Sequence, residues 1–262
     1  MGSYDIAKAA LELKVTELTP TPLPYLYSGL YQERPVILKH VVEKEAYFQE
    51  KQTLSLFASD ACVALLTSDD KNHVLVLEKV LPGITLKEIT DEHKACQIFS
   101  HIVKTLPKLA EPGLNYPTLE EWLSIIPNHS LLEKKLQDKA EGTLKNLSAI
   151  PRNTYLLHGD LHHDNILESH RGWMCLDPKG VIGPMEFETA IYLLNPLDQK
   201  PCLDRFFHKV GNLQKELDAD PTLMKGYAFL RALLGAIWAA EDQMSTEPWL
   251  IWAELLQDCL DS

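Results

Sequence analysis

The apolar period of this chain is largely strand-like before residue 82 and largely helical after it, and that division limits what it can fold into. Ile6, Ala9, Ala10 and Leu13 recur at helical spacing over residues 5–15, a short amphipathic opening helix. Runs rich in β-branched and aromatic residues follow. "LPYLYSGLY" and "RPVILKHV" flank the polar turn Gln32-Glu33-Arg34 and read as a hairpin. A helical stretch from about Glu43 to Ala58 leads to "ACVALLT" and "HVLVLEKV", separated by the turn-forming Ser68-Asp69-Asp70-Lys71-Asn72. "LPG" at 81–83 then marks a boundary. Beyond it the spacing is mostly helical. Asp91 to Leu106 is amphipathic and ends near Pro107. Thr118–Glu121 and Ser130–Glu133 both match the capping box, in which a hydroxyl and a carboxylate satisfy free amides at a helix start. Asp220-Pro221 opens another helix, with proline where no amide is needed, and Glu247-Pro248 opens the last. One β island interrupts the helices: "TYLL", "NILE", the turn "SHRG" and "WMCLD". The pattern predicts an α+β chain, with a small β-rich lobe over 1–82, a larger mainly helical lobe over 83–262, and a cleft expected at the boundary.

Charge and cysteine usage narrow the function classes. A net charge of −12 argues against general nucleic-acid binding, which needs clustered Lys and Arg on phosphates. It fits a cationic small-molecule partner, and it equally fits plain solubility. The five cysteines are scattered without CxxC spacing, so neither a zinc ribbon nor a disulfide framework is expected. The opening "MGSYDIAKAALELKV" lacks the apolar core of a signal peptide, and Ile6 stands where N-myristoylation wants Ser or Thr. The longest apolar run, Gly226 to Ala240, contains Arg231 and is too short to span a bilayer, so a cytoplasmic location with no membrane partner is expected.

The stretch "HGDLHHDN" at 158–165 concentrates three histidines, two aspartates and an asparagine after the apolar run Tyr155-Leu156-Leu157. His158, Asp160, His162, His163 and Asp164 superficially resemble a dinuclear metal cluster. Such a site needs further ligands from later loops, and the only downstream histidines are His170 in a polar turn and His208 on an amphipathic helix. Phosphoryl transfer asks for something different: a carboxylate at the acceptor hydroxyl, oxygen ligands for magnesium, and a lysine on the nucleotide phosphates held by a partner carboxylate. The chain offers these in order. Lys39 ends the apolar strand "PVILK", and Glu50 follows on the next helix, with Leu54, Phe57 and Ala58 at +4, +7 and +8. Asp160, Asn165 and Asp177 come later, the last closing a hairpin. The ordered set of five is far more specific than any one member.

"HGDLHHDN" followed by "LDP" resembles the catalytic signature of the aminoglycoside phosphotransferases, small-molecule relatives of the protein kinases. The longer stretch "LHGDLHHDNILESHRGWMCLDPKGVIGPMEFETA" is most similar to the branch containing the streptomycin 6-phosphotransferases and the hydroxyurea kinases. The resemblance covers most of the chain. It is densest over 157–196 and sparsest over 110–150. It implies a bilobal protein-kinase-like fold and a phosphotransferase using ATP, with GTP not excluded, and Mg2+. Asp160 would accept or orient the acceptor proton, Asn165 and Asp177 would hold magnesium, and Lys39 would bind the α- and β-phosphates. Glu50 is the partner of Lys39 that best fits the helix pattern, with Glu43 and Glu45 as alternatives. Main-chain groups of Glu78 to Val80 resemble the hinge that hydrogen-bonds adenine. His158 reads as a loop anchor, and His162 and His163 as loop or acceptor groups. "FETA" carries Glu188 where relatives often have aspartate, a loop-supporting position.

Two departures bear on the nucleotide. No GxGxxG covers the phosphates; only the segment Thr19–Pro24 and Ser28-Gly29 occupy that region. The metal motif is Asp177-Pro178-Lys179-Gly180. For a hydroxylated, cationic acceptor, the candidate contacts are His163, Glu186, Trp238, Glu241 and Asp242. Trp238 as plain core and Glu241 with Asp242 as a solvated helix end remain the alternative. A catalytically weak nucleotide-binding module is a further alternative, against which the intact Asp160, Asn165 and Asp177 set argues.

Overall fold

The computed structural model describes residues 3–106, 108–110 and 113–260; Pro107, expected at the end of a helix, lies outside them. The chain forms two compact units, one comprising Met1–Ile84 with Leu167–Lys179 and the other Thr85–Ile166 with Gly180–Ser262. Residues 167–179, which the sequence places with the second lobe, therefore group with the first.

In the first unit, helix α1 (Ser3–Glu12) precedes an antiparallel sheet of β1 (Val15–Pro20), β2 (Leu26–Tyr31), β3 (Arg34–His40), β4 (Leu65–Asp69) and β5 (Val74–Glu78). The strand order is β1-β2-β3-β5-β4. Ile6, Ala9 and Ala10 of the helix pack on Val36, Leu38, Val74 and Val76 of the central strands. The β2–β3 turn places both Gln32 (φ 50°) and Glu33 (φ 63°) in the left-handed region, the two-residue geometry that matches strand twist. β1 was not expected. Of its six residues only Val15 is buried, so this edge strand shows no apolar alternation. Helix α2 (Lys44–Leu56) follows β3 and buries Tyr47, Glu50, Thr53 and Leu54, with Phe57 just beyond it, while Ala58 is exposed.

The expected β island divides between two sheets. β9 (Ile166–Ser169) and β10 (Gly172–Cys175) join β6 (Pro82–Thr85), whereas β8 (Tyr155–Leu157) pairs with β11 (Val181–Gly183) and β7 (Lys108–Leu109).

The second unit is mainly helical: α3 (Glu92–Thr105), α4 (Leu119–Leu123), α5 (Lys134–Ser148), α6 (Met185–Leu194), α7 (Leu203–Leu217), α8 (Pro221–Glu241) and α9 (Glu247–Gln257). Thr118 and Glu121 form the expected capping box on α4. Ser130–Glu133 does not form one. There Leu132 N–H bonds His129 O in a tight turn, Gln137 closes that turn with its side chain, and α5 starts only after Glu133. The Asp220 carboxylate accepts the Thr222 N–H (2.8 Å) and starts α8 ahead of Pro221. α8 reaches 21 residues, beyond the apolar run visible in the sequence, and by length and composition alone it would cross a membrane. However, 83% of its most apolar window is buried inside the protein, against α5, α6, α7 and α9 among others. It is the core helix of its unit.

Candidate active site

Strand alternation decides where Lys39 points. Leu38 is fully buried in the sheet core, so Lys39 turns to the opposite face, where α2 lies. Its Nζ donates to both Glu50 oxygens at 2.8 Å and is also paired with Asp177 Oδ1. Glu50 occupies the buried stripe of α2, three residues after Tyr47 and four before Leu54. Glu43 sits at the N-cap and Glu45 is exposed in the first turn, so neither is on that face. Burial lowers the Lys39 pKa, but the Glu50 and Asp177 carboxylates outweigh it and the ammonium is held above its usual value.

Asp177 follows β10 with φ 61°, a left-handed conformation that costs a non-glycine residue about 1 kcal/mol or more. Lys179 Nζ stands 3.5 Å from its carboxylate. At the end of β5, Glu78 N–H bonds Ala64 O (3.0 Å) and Lys79 N–H bonds Pro35 O (3.1 Å). The Glu78 side chain is committed to structure, accepting from Ala64 N–H (2.9 Å) and from Arg171 (2.7 and 2.8 Å). With its N–H on Ala64 O as well, any role of Glu78 in binding falls to its main-chain carbonyl.

The quoted loop lies in the second unit. It turns at Gly159 (φ 82°), where an added Cβ would stand 3.0 Å from both Trp122 Cη2 and Val181 Cγ1. Glu188, 2% exposed in the first turn of α6, accepts the His158 N–H (2.6 Å) and the Gly159 N–H (3.0 Å). It is the loop support expected from "FETA". His158 anchors the loop as well: its Nδ1 accepts the Asp160 N–H (3.3 Å) and its C=O accepts the Gly180 N–H (3.2 Å). Asn165 Nδ2 donates to Asp160 O (2.9 Å), which leaves Oδ1 as the end of the amide turned elsewhere. The Asp160 carboxylate accepts from Arg231 Nη2 at 3.1 Å through Oδ1, while Oδ2 lies 3.8 Å from His162 Nε2.

Burial raises the Glu188 carboxyl from 4.5 to about 7, against the opposing pull of the Gly159, His158 and Leu161 amides. A raised carboxyl contributes stability that is complete below the unfolded value near 4.5 and lost as pH rises through about 7. The stability of the native chain minus that of a Glu188→Gln variant should therefore fall between those pH values by an amount on the order of 3 kcal/mol. Urea unfolding at a series of pH values checks this; a pH-independent difference would contradict it.

Asp160 opens on a cavity of about 420 Å³ whose wall also carries Asp164, Asp198, Asp242, Trp238 and Trp249. Two cations, Lys87 and Arg231, stand among these carboxylates, and Lys87 Nζ pairs with Asp198 at 2.9 Å. The expected acceptor residues thus divide. Trp238 and Asp242 line the cavity, whereas Glu241 is exposed at the end of α8 and is not among the lining residues. Glu186 faces Arg152 (3.6 Å) in a separate depression with Asn153 and Tyr155. His163 is buried and stacked on Tyr192 (centroids 4.6 Å, 7° between planes), so it is His162 that stands beside Asp160. Burial, then the Lys209 ammonium, holds His163 well below its usual value and neutral.

Sequence reasoning missed Arg231, Lys87, Asp198 and Lys209. Only Arg231 gave a signal, as the one charge inside the apolar run of α8. Lys209, 1% exposed, donates to Asn195 O (2.6 Å) and ties down the chain that leads to Asp198; burial pushes it down to about 8. Among the described residues no three His, Cys, Asp or Glu side chains converge as a metal cluster. The hydrolase-like grouping of 158–164 is thus not assembled in space: His158 and His163 both point into the protein.

The fold is shared with solved kinases. Choline kinase LicA from Streptococcus pneumoniae superposes with a TM-score of 0.73 at 15% identity, covering 97% of this chain and 96% of that one. The architecture is the α+β protein-kinase-like fold. Residues 29–243 match the family model described as aminoglycoside/hydroxyurea antibiotic resistance kinase, and the chain belongs to that family. Among curated relatives, the streptomycin 3''-kinase of Klebsiella pneumoniae is 33% identical over 132 residues, 47% of each protein. The streptomycin 6-kinase of Streptomyces griseus is 23% identical over 216 residues, 73% of this chain. The chain spans 47% and 66% of the lengths of these two relatives.

Proposed function

We propose that the protein is a Mg2+-dependent kinase that transfers the γ-phosphoryl group of ATP to a hydroxyl of a streptomycin-like aminoglycoside. The observation that carries this reading is Lys39, held by both oxygens of Glu50 and paired with Asp177. A lysine fixed at a strand end by a helix carboxylate is a phosphate-binding device, and nothing in a hydrolase would require it. The hard-oxygen donors Asp177 and Asn165 Oδ1 fit magnesium, which takes carboxylate and amide oxygens and keeps several waters. When bound, the ion would neutralise charge on the phosphates. Lys39 would hold the α- and β-phosphates, and the main chain of Glu78 and Val80 would receive the base of ATP, with GTP as the competing nucleotide to assay. Asp160 Oδ2, the oxygen that Arg231 does not bond, would take the hydroxyl proton as the acceptor oxygen bonds the γ-phosphorus and the bond from that phosphorus to ADP breaks. Asp164 and Asp242, the cavity carboxylates that pair with neither Arg231 nor Lys87, would receive the amino or guanidino groups of the acceptor. ATP as donor implies a cytoplasmic site of action.

Purified protein with Mg·ATP and streptomycin should release ADP and yield a product heavier by one phosphoryl group. Acceptor-independent ADP release, with no phosphorylated product from an aminoglycoside panel, would sink the assignment. The helix register makes a second prediction. Glu50→Ala should lower kcat/KM for ATP by about tenfold or more, because the Lys39 ammonium loses a bidentate partner in a largely desolvated site. Glu45→Ala, on the exposed face of α2, should match the native enzyme; the reverse order would refute the pairing.

A further inference from the structure

We propose that Arg231 is the positioning residue of this site: clamped between two tryptophans, it fixes Asp160 through Oδ1 so that Oδ2 faces the acceptor. The proposal rests on the kinase reading above. Three observations carry it. The first is the contact itself, Nη2 to Oδ1 at 3.1 Å, from a side chain only 4% exposed. The Asp160 side chain remains 21% exposed, and Asp160 lines the cavity.

The second is the clamp. The guanidinium carbon lies 5.0 Å from the Trp238 ring centroid and 5.2 Å from that of Trp249. Trp238 comes from two turns further along α8, and Trp249 comes from α9. Trp249 reaches this position only because residue 235 has no side chain; a Cβ on Gly235 would lie 2.4 Å from Trp249 Cε3. Two aromatic planes restrict a flat cation far more than a hydrogen bond alone does. They also commit both rings to an internal cation.

The third is the cost of the arrangement. Arg231 Nε and Nη1 are buried without a hydrogen-bond partner. A desolvated guanidinium with unmet donors is a poor core group, and an apolar side chain of similar volume would serve α8 better. The buried cation bonds the Asp160 carboxylate, and retaining the charge there makes sense if that carboxylate must be aimed. Without it, Asp160 can rotate about its terminal torsion, and a misplacement of about 1 Å at a reacting atom is worth roughly 100-fold in rate.

The test compares Arg231→Met, Arg231→Lys and Asp160→Asn with the native enzyme, using Mg·ATP and streptomycin. Arg231→Met is expected to lower kcat by roughly 100-fold while changing the KM of streptomycin less than about threefold, since Arg231 is only 4% exposed at the cavity wall and its hydrogen bond goes to the base. Its melting temperature should stay close to native, because the Asp160 carboxylate left behind is part-exposed and can be solvated. Added guanidinium chloride at tens of millimolar should restore about tenfold of the lost kcat by refilling the space between the rings. Arg231→Met with native kcat overturns the proposal, as does a kcat loss that guanidinium leaves unchanged in a normally melting variant. If Arg231→Met does not fold, Arg231→Lys decides: a kcat lowered by about tenfold with unchanged KM supports the role, and native kcat refutes it. Asp160→Asn separates the two failures. If it keeps turnover, the kinase reading of Asp160 has failed; if it loses turnover while Arg231→Met keeps it, only this inference has. Should streptomycin not react at all, the pair is read without an acceptor from the 15N NMR spectrum of Arg231. Separate Nη signals in the native protein that merge in Asp160→Ala support the clamp acting on Asp160, and identical spectra refute it.

Discussion

Asp160→Asn is expected to reduce kcat by about 10³-fold or more, some 4 kcal/mol of barrier, with Mg·ATP affinity and melting temperature close to native. The amide is nearly isosteric but cannot take the hydroxyl proton. The loop itself does not depend on the side chain that is changed. Its fixed points are main-chain groups: the His158 and Gly159 amides on Glu188, the Asp160 amide on His158 Nδ1, and the Asp160 carbonyl under Asn165 Nδ2. The amide oxygen can still accept from Arg231. Rapid-quench measurement of phosphorylated streptomycin, with calorimetry for Mg·ATP, checks both halves of the expectation. A variant retaining more than about a tenth of native turnover would remove Asp160 from the chemistry, because general bases contribute at least about 100-fold.

What the sequence makes legible follows from how local each signal is. Lys39, Glu50 and the loop 158–165 lie in segments whose own pattern fixes their direction: strand alternation for the lysine, a helical stripe for the glutamate, a glycine turn for the loop. Arg231 stands in plain view inside an apolar run, yet its meaning depends on Gly235, Trp249 and Asp160, which the chain brings together only in the folded unit. Glu186 and Glu241 mislead for the same reason. Both are acidic and near the right helices, but helix rotation turns one toward Arg152 and leaves the other exposed. The edge strand β1 is invisible because Val15 is its only buried residue, so no period of two appears. His162 and His163 are chemically alike and adjacent, and only the tertiary stack on Tyr192 tells which one is removed from Asp160.

Asp177→Ala should collapse the magnesium dependence of ATP binding. In the native protein ATP should bind more tightly with Mg2+ than with EDTA, and in the variant that ratio should fall by at least about tenfold, a loss common even for groups one shell out from a metal. Binding in EDTA should change less, since Lys39 still carries its charge and its bidentate bond to Glu50. Two other consequences of the substitution have to be separated from ligand loss. Asp177 also pairs with Lys39, and it occupies a left-handed conformation (φ 61°) that alanine tolerates poorly. Asp177→Gly removes the carboxylate while relaxing that backbone, so it isolates the ligand. If glycine and alanine lose the magnesium response equally, the carboxylate is the metal ligand. If glycine keeps it while alanine loses it, the effect belongs to the backbone and Asp177 does not hold magnesium. Asp177→Asn keeps an oxygen but not the charge, and should fall between native and alanine, because a hard dication is bound by charge as well as by geometry.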